Sequence, residues 1–519
     1  MPKLSKPMTQ VLKGLACSTA EVLGNASSGV RAIRIGNNAT FLPGMHGGDT
    51  IYERQFYPRL VNVICSSSRR VVLLSNPGTG KSVFQFYMLA RFLNPALFAG
   101  DGGQGQTPCD EYMFGFAVPP KVVVRQVLGD TTEVWFLEQQ VVHDIIEKPI
   151  GAVLRCFDPA TMVYFFEPMK VKGVEPCAND NEFNLSTLAT VPPDIGCFHQ
   201  FQKVANLTYM PVFTEDELLA IGRDMRARPN VRSDLKALYK DDAIRNRFKR
   251  YNGIIRHVLP QDMDTLAGLE DVRQPAVNNI DALKFLNGDI VHQTISPYVA
   301  VFKVDKSNFS KEGLAVVNDE VREDIVKGFQ SIKVTEKMWV LQRYSGKWYK
   351  PPEGIPSALF ENVVAYHLTS GGGVKWRARI VNVGADGKAA KDTMPLHLQL
   401  SKVVKGEVPQ YAVMEPNVLY KSSNPNFPLV YKDKEGKLVC IQVSLERTAK
   451  LTVDVGAFQE FCGRIGWEAS PSEDQLRLMS FVYCPDPKLA DKATVEFGDG
   501  VELDSYTVWH VNADFGSGT

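Results

Sequence analysis

The sequence predicts a multidomain α/β protein organised around a parallel sheet with a helical subdomain. Three observations predict it. The 519 residues exceed what one hydrophobic core organises, so two or three domains are expected. The composition, 44% hydrophobic and 22% charged, is that of a folded globular chain. The run Arg70-Val71-Val72-Leu73-Leu74 leads through a Gly-rich turn into Val83-Phe84-Gln85-Phe86-Tyr87-Met88-Leu89-Ala90. That is a buried strand followed by a helix starting near Lys81, one βα step of a parallel sheet.

The turn carries the chemistry. Asn76-Pro77-Gly78-Thr79-Gly80-Lys81-Ser82 ends the phosphate-loop pattern G-x-x-x-x-G-K-[ST], with Ser75 where its first glycine is expected. Glycines let backbone amides curl round a polyphosphate, and the new helix offers its positive N-terminal end. Lys81 would reach the β- and γ-phosphates of ATP or GTP, and the Ser82 hydroxyl would hold Mg²⁺.

Bulk properties narrow the partners. Lys plus Arg equals Asp plus Glu at 58 each, so no global charge points to nucleic acid. The nine cysteines form no C-x-x-C pair and no zinc spacing with the eight histidines, which reads as reduced thiols in a nucleus or cytosol. No apolar run reaches the roughly 18 residues of a membrane span, so no membrane partner is expected. Residues 1–8 carry positive charge but lead into no apolar signal segment.

Taken in order, residues 1–45 read as a flexible lead-in with a short amphipathic helix between Thr9 and Leu23. Residues 46–262 read as the nucleotide-binding domain with its helical subdomain. Tyr52 to Tyr57 set aromatics round Arg54, a base-stacking patch or a packed face. Phe56 to Cys65 is a helix. Val122-Val123-Val124 and Glu133 to Leu137 form a hairpin through Gly129-Asp130. Met162 to Glu167 is an apolar strand ending in an acid. A phosphate loop needs such an acid to position Mg²⁺ or water, and Glu167 fits, with Glu138 the rival. Leu185 to Val191 is a further strand whose Thr190 is a candidate γ-phosphate sensor or an edge cap. Thr214 with Glu217 makes a capping box before a helix. Asp234 to Leu259 is helical, and its Arg256 could return to the nucleotide to stabilise transferring charge, or form a surface ion pair. Residues 263–350 read as a linker or helical lid with a strand at Lys337–Gln342, and Pro351 to Pro356 marks the clearest boundary.

On these residues the chain resembles the Crinkler effectors of oomycetes and some fungi, and the related retrotransposon hot spot proteins of trypanosomes. The markers are the aromatic and Arg lead-in, the loop, the strand ending at Glu167, Tyr209-Met210-Pro211 before an acidic helix, and Arg247-Phe248…Gly253-Ile254-Ile255-Arg256. Asn252 and Ile255 depart from the family's last motif. The resemblance spans most of residues 50–485. It implies a P-loop NTPase parallel sheet followed, over 351–519, by an α/β restriction-endonuclease-like domain. In that second domain it assigns Glu361 to the first-motif helix, and Gln442 and Ser444 to the second strand of a hairpin formed by Asn424–Tyr431 and Lys437–Ser444. The expected Asp falls on Leu429 or Val430, which cannot hold a cation, so the nuclease-like domain reads as degenerate. The resemblance also implies ATP- or GTP-driven control of DNA or host-protein binding, and secretion to a host nucleus. The translocation motif Leu-Phe-Leu-Ala-Lys is not in the sequence, so an intracellular nucleus or cytoplasm stays open. The alternatives are an active metal-dependent DNA nuclease under NTPase control, and a nucleotide-switched binding protein without turnover.

Overall fold

The four apolar residues before the Gly-rich turn are buried on both faces of a sheet. Val71 and Leu73 enter one hydrophobic cluster and Val72 and Leu74 another. Such a strand needs layers on both sides, and the chain supplies them.

The computed structural model describes residues 3–23, 29–41, 48–66, 69–98, 120–127, 131–145, 150–167, 185–193, 198–199, 201–229, 231–278 and 296–330, then 355–370, 376–380, 393–396, 400–405, 408–421, 428–434, 438–444, 450–453, 460–461, 463–465, 476–482, 494–497 and 507–512. The chain divides into two units, Met1–Arg322 and Glu323–Thr519. The stretch expected to link two modules therefore belongs, through Arg322, to the first unit.

The first unit opens with β1 (Lys3–Leu4), α1 (Lys6–Ala16), β2 (Thr19–Leu23), β3 (Val30–Arg34), β4 (Thr50–Glu53) and α2 (Tyr57–Ser66). There follow β5 (Arg70–Leu74), α3 (Lys81–Leu93), β6 (Val122–Val127), β7 (Thr131–Phe136), β8 (Val141–Ile145), α4 (Ile150–Leu154), β9 (Met162–Glu167), β10 (Ser186–Val191) and β11 (Asn206–Tyr209). Next come α5 (Glu215–Ala227), α6 (Ser233–Leu238), α7 (Asp241–Tyr251), α8 (Ile255–Val258), α9 (Met263–Asn278), β12 (Ala300–Val304) and β13 (Lys311–Val316), and then α10 (Asp319–Gln330), whose residues from Glu323 on belong to the second unit.

Eight strands form one mixed sheet in the order β1-β8-β7-β6-β9-β10-β5-β11. From β6 to β11 neighbours are parallel, and the β6-β7-β8-β1 side is antiparallel. β6 and β7 pair as the sequence predicts, while Gly129-Asp130 lies outside the described residues. The loop strand β5 sits between β10 and β11, the point where consecutive connections run to opposite sides. That is where α/β sheets place ligands, beyond the carboxyl ends of the strands.

The lead-in differs from the expectation of a flexible segment over 1–45. Val11, Leu12 and Leu15 of α1 are buried with Leu60, Phe86 and Trp135, and β2-β3-β4 make a separate antiparallel sheet. Leu23, Val30 and Ala32 of that sheet share a cluster with Leu218, Ile221, Ile244 and Leu259 of the helical subdomain. This order rests on partners far away in sequence, so local composition carries no sign of it.

The second unit contains α11 (Ile355–Ser370), β14 (Trp376–Ile380), β15 (Thr393–Leu396), β16 (Lys402–Lys405), β17 (Val418–Lys421), β18 (Leu429–Lys432), β19 (Leu438–Ser444), β20 (Lys450–Val453), β21 (Leu476–Val482), β22 (Thr494–Phe497) and β23 (Thr507–Asn512). Its main sheet is ordered β15-β14-β23-β21-β19-β18-β17-β16. The predicted hairpin is present as antiparallel β18 and β19, followed by β21 and β23 in parallel. The expected strand at Lys337–Gln342 lies outside the described residues. No described helix is long and apolar enough to cross a membrane.

Candidate functional site

β5, β10 and β11 end level with one another, because Leu74 pairs with both Val191 and Tyr209. The Gly-rich loop leaves β5 at this edge. Gly78 (φ 78) and Gly80 (φ 93) take the left-handed backbone that a side chain resists, and Gly80 caps α3. Ser75 shows no such φ, so the absent first glycine is not required. Its hydroxyl instead donates to Met210 O at 2.7 Å and accepts from Thr79 Oγ1 at 2.8 Å, tying the loop to the end of β11.

A cavity of about 380 Å³ opens over the loop. Pro77, Gly78, Gly80, Lys81, Ser82, Glu167, Thr190 and Arg256 line it. The structure thus brings together Lys81, Glu167 and Arg256, residues separated by up to 175 positions in the sequence. Asn76 and Thr79 are buried beneath the loop. Asn76 Nδ2 donates to Ala300 O at 2.9 Å and its Oδ1 accepts from Phe302 N at 3.0 Å, so its side chain clamps β12 and only its backbone remains for a ligand.

Lys81 Nζ donates to the carbonyls of Ser75 and Asn76, both at 2.9 Å. Burial lowers its pKa to about 7, with Glu167 acting to raise it and Arg256 to lower it further. Arg256 reaches the loop from the helical subdomain, and a Cβ on Gly78 would stand 3.0 Å from Arg256 Cβ. The subdomain is fixed by buried Arg54, which bonds Glu217 through Nε at 3.0 Å and Nη2 at 2.8 Å, and Pro211 O at 2.7 Å. Glu217 also closes the predicted capping box with Thr214. Arg54 lies between the rings of Phe56 and Phe213, so the aromatic and Arg lead-in is a packed joint, with Tyr52 and Tyr57 on the cavity wall.

Glu167 is the carboxylate of the site. Ser82 Oγ donates to Glu167 Oε1. Its rival Glu138 pairs with Lys121 at 3.4 Å, at the opposite end of β6. Glu167 Oε2 accepts from Arg125 at 3.4 Å, and Arg125 also meets Glu133 at 3.1 Å. Arg125 is thus shared by two carboxylates, and Glu167 also acts electrostatically on Lys81. Arg125 Nε donates to Gln85 Oε1 at 2.9 Å, and Gln85 Nε2 donates to Thr190 Oγ1 at 2.8 Å. A buried chain of polar groups therefore links the tips of β9 and β10 to α3.

Sequence reasoning missed Arg125 and Gln85. The available signal was a charged residue inside Val122–Val127 and an amide inside an apolar helix, since groups buried in such runs must find partners. It also missed the wall supplied by Phe41 and Thr50.

In the second unit, Glu361 on α11 pairs with Lys421 of β17 at 3.6 Å. Leu429 and Val430, at the position expected for an Asp, are buried core residues. Gln442 and Ser444 lie on β19, two residues apart. Among the described residues there is no group of three or more His, Cys, Asp and Glu able to hold a metal. No protein-family model matches the chain, and no curated protein matches it significantly.

Proposed function

We propose that the first unit is a P-loop NTPase that binds ATP or GTP with Mg²⁺ and hydrolyses it. The observation that carries this is the convergence of Lys81, Ser82, Glu167 and Arg256 on one cavity at the carboxyl edge of parallel strands. The strand order adds support. β10 stands between the loop strand and the acid strand, and this sets their axes about 10 Å apart, room for a phosphate, a cation and a water.

The donor set suits Mg²⁺, since Ser82 Oγ and a Glu167 oxygen are hard ligands and the cation takes its remaining ligands from phosphate and water. Mg²⁺ held there would neutralise negative charge on the triphosphate. The chain's own residues do the rest. Backbone amides of the loop and the first turn of α3 hold the phosphates. Lys81 exchanges its carbonyl partners for phosphate oxygens. Arg256 meets the charge that develops as water attacks the γ-phosphorus and the bond to the β-phosphate oxygen breaks. Thr190, oriented by Gln85, places the attacking water.

On the sequence resemblance, the whole chain is a Crinkler-like or retrotransposon-hot-spot-like effector whose nucleotide state governs binding of DNA or a host protein by the second unit, in a host nucleus. The Glu361–Lys421 pair and the apolar Leu429 and Val430 favour a binding role there over cleavage. The test is phosphate release with Mg²⁺. Wild type turns over ATP or GTP and Lys81→Ala falls to background, whereas a wild-type chain that neither binds nor hydrolyses either nucleotide ends the proposal.

A further inference from the structure

Thr50, Tyr52 and Tyr57 line the cavity with hydroxyl groups that the phosphate chemistry above leaves unassigned. Two of the three are committed to the protein. Thr50 Oγ1 accepts from Arg34 Nη1 at 3.1 Å and from Arg228 Nη2 at 2.7 Å. Tyr52 Oη donates to Asp224 Oδ2 at 2.7 Å and accepts from Arg228 Nη2 at 3.0 Å. The hydroxyl of Tyr57 has no hydrogen-bond partner among the described residues.

Tyr57 is only 1% exposed, and its ring packs on those of Phe56, Phe84 and Tyr87, with centroids 5.2, 5.1 and 5.0 Å away. A hydroxyl carried so deep is unfavourable without a partner. Neighbouring Tyr87 has two, donating to Glu53 Oε1 at 2.7 Å and accepting from Arg91 Nη1 at 2.9 Å. Tyr57 Oη is instead open to water at the cavity wall. It faces the phosphate loop, since a Cβ on Gly80 would stand 3.7 Å from it. The backbone is held too, because Tyr57 N donates to Arg54 O at 2.8 Å in the joint that fixes the helical subdomain. Burial pushes the pKa of the phenol up, so at neutral pH it keeps its proton and can donate.

We infer that Tyr57 is a phosphate-binding residue, whose hydroxyl donates to an oxygen of the bound triphosphate beside Lys81 and the loop amides. This rests on the triphosphate-binding role proposed for the loop. Ionised phosphate oxygens only accept, which is what an unpartnered phenol requires. Gly80 caps α3, so a donor beside it stands where the free amides of the first turn gather an anion. A neutral donor also adds a bond there without crowding another positive charge against Lys81 and Arg256.

Titration calorimetry on the full chain tests the assignment, with Mg²⁺ and non-hydrolysable ATP and GTP analogues, each beside its 2′,3′-dideoxy counterpart. Tyr57→Phe removes one oxygen and keeps the ring. Without nucleotide it should melt, by circular dichroism, at a midpoint at least as high as wild type, because the hydroxyl holds no protein group. It should bind whichever analogue wild type binds about tenfold or more weakly, the scale of a hydrogen bond to a charged group. The same factor should hold for the dideoxy counterpart. Undiminished affinity, a loss absent from the dideoxy counterpart, which would place the contact on the sugar, or a lower midpoint without nucleotide overturns the role of Tyr57 while the triphosphate site stands. A wild-type chain that binds neither analogue overturns both.

Discussion

If the loop binds a nucleoside triphosphate as proposed, Lys81 makes that binding a proton-uptake reaction. Burial lowers its pKa to about 7, and its ammonium faces two backbone carbonyls. At pH 8 a group with that pKa is only about 10% protonated. A polyanion within ~4 Å favours the charged form strongly and carries the pKa well back up. Binding at pH 8 therefore draws about 0.9 proton from the buffer. Below pH 7 Lys81 is charged with or without ligand, and affinity is flat. Between pH 7 and the pKa of the complex, affinity falls by up to about tenfold per pH unit, about 1.4 kcal/mol. Calorimetry at pH 8 in two buffers of different ionisation enthalpy counts the protons directly. Lys81→Arg, charged at every pH used, removes the uptake if it binds. A binding enthalpy independent of the buffer at pH 8, or affinity constant from pH 7.5 to 9.5, refutes the assignment of Lys81 to the phosphates.

Two further outcomes follow from the joint between loop and helical subdomain. A Cβ on Gly253 would lie 1.9 Å from Phe213 O and 2.7 Å from Phe213 N, backbone atoms that no rotamer change can move. Gly253→Ala should cost at least about 3 kcal/mol in urea denaturation and lower phosphate release by displacing Arg256, and an unchanged midpoint would contradict the close approach. His257, stacked on Tyr298 at 4.5 Å, has its pKa lowered to about 4 by burial and then by Arg256. The unfolded chain thus binds more protons between about pH 6.5 and 4, and stability falls as pH drops through that window, by up to about 3 kcal/mol. His257→Phe keeps the stacking and should flatten this acid limb, whereas an identical limb would clear His257 of the effect.

What could be read from the sequence was local. The βα step at β5 and α3 is written in a doubly buried apolar run, two glycines with left-handed backbone, and a helix that begins at Lys81. The capping box at Thr214 and Glu217 was legible for the same reason, whereas the hairpin of β18 and β19 was expected from the family resemblance. What could not be read depends on distant partners. The lead-in gains its order from the helical subdomain and from α3. Arg125 looks misplaced in a valine run until Glu133 and Glu167 meet it. Asn76, which the loop pattern assigns to phosphate, spends its side chain on β12. The one imperfection of the pattern also changes meaning in three dimensions. Ser75 needs no glycine backbone, and its hydroxyl joins Thr79 to Met210. With the side chains of Ser75, Asn76 and Thr79 all committed to the frame, the loop cannot answer an incoming polyphosphate by reshaping its base. The response falls to Lys81, which has only two backbone carbonyls to leave, and to Arg256, which arrives from another layer of the fold. A rigid cradle with one buried, half-charged lysine is the arrangement in which binding must be coupled to a proton.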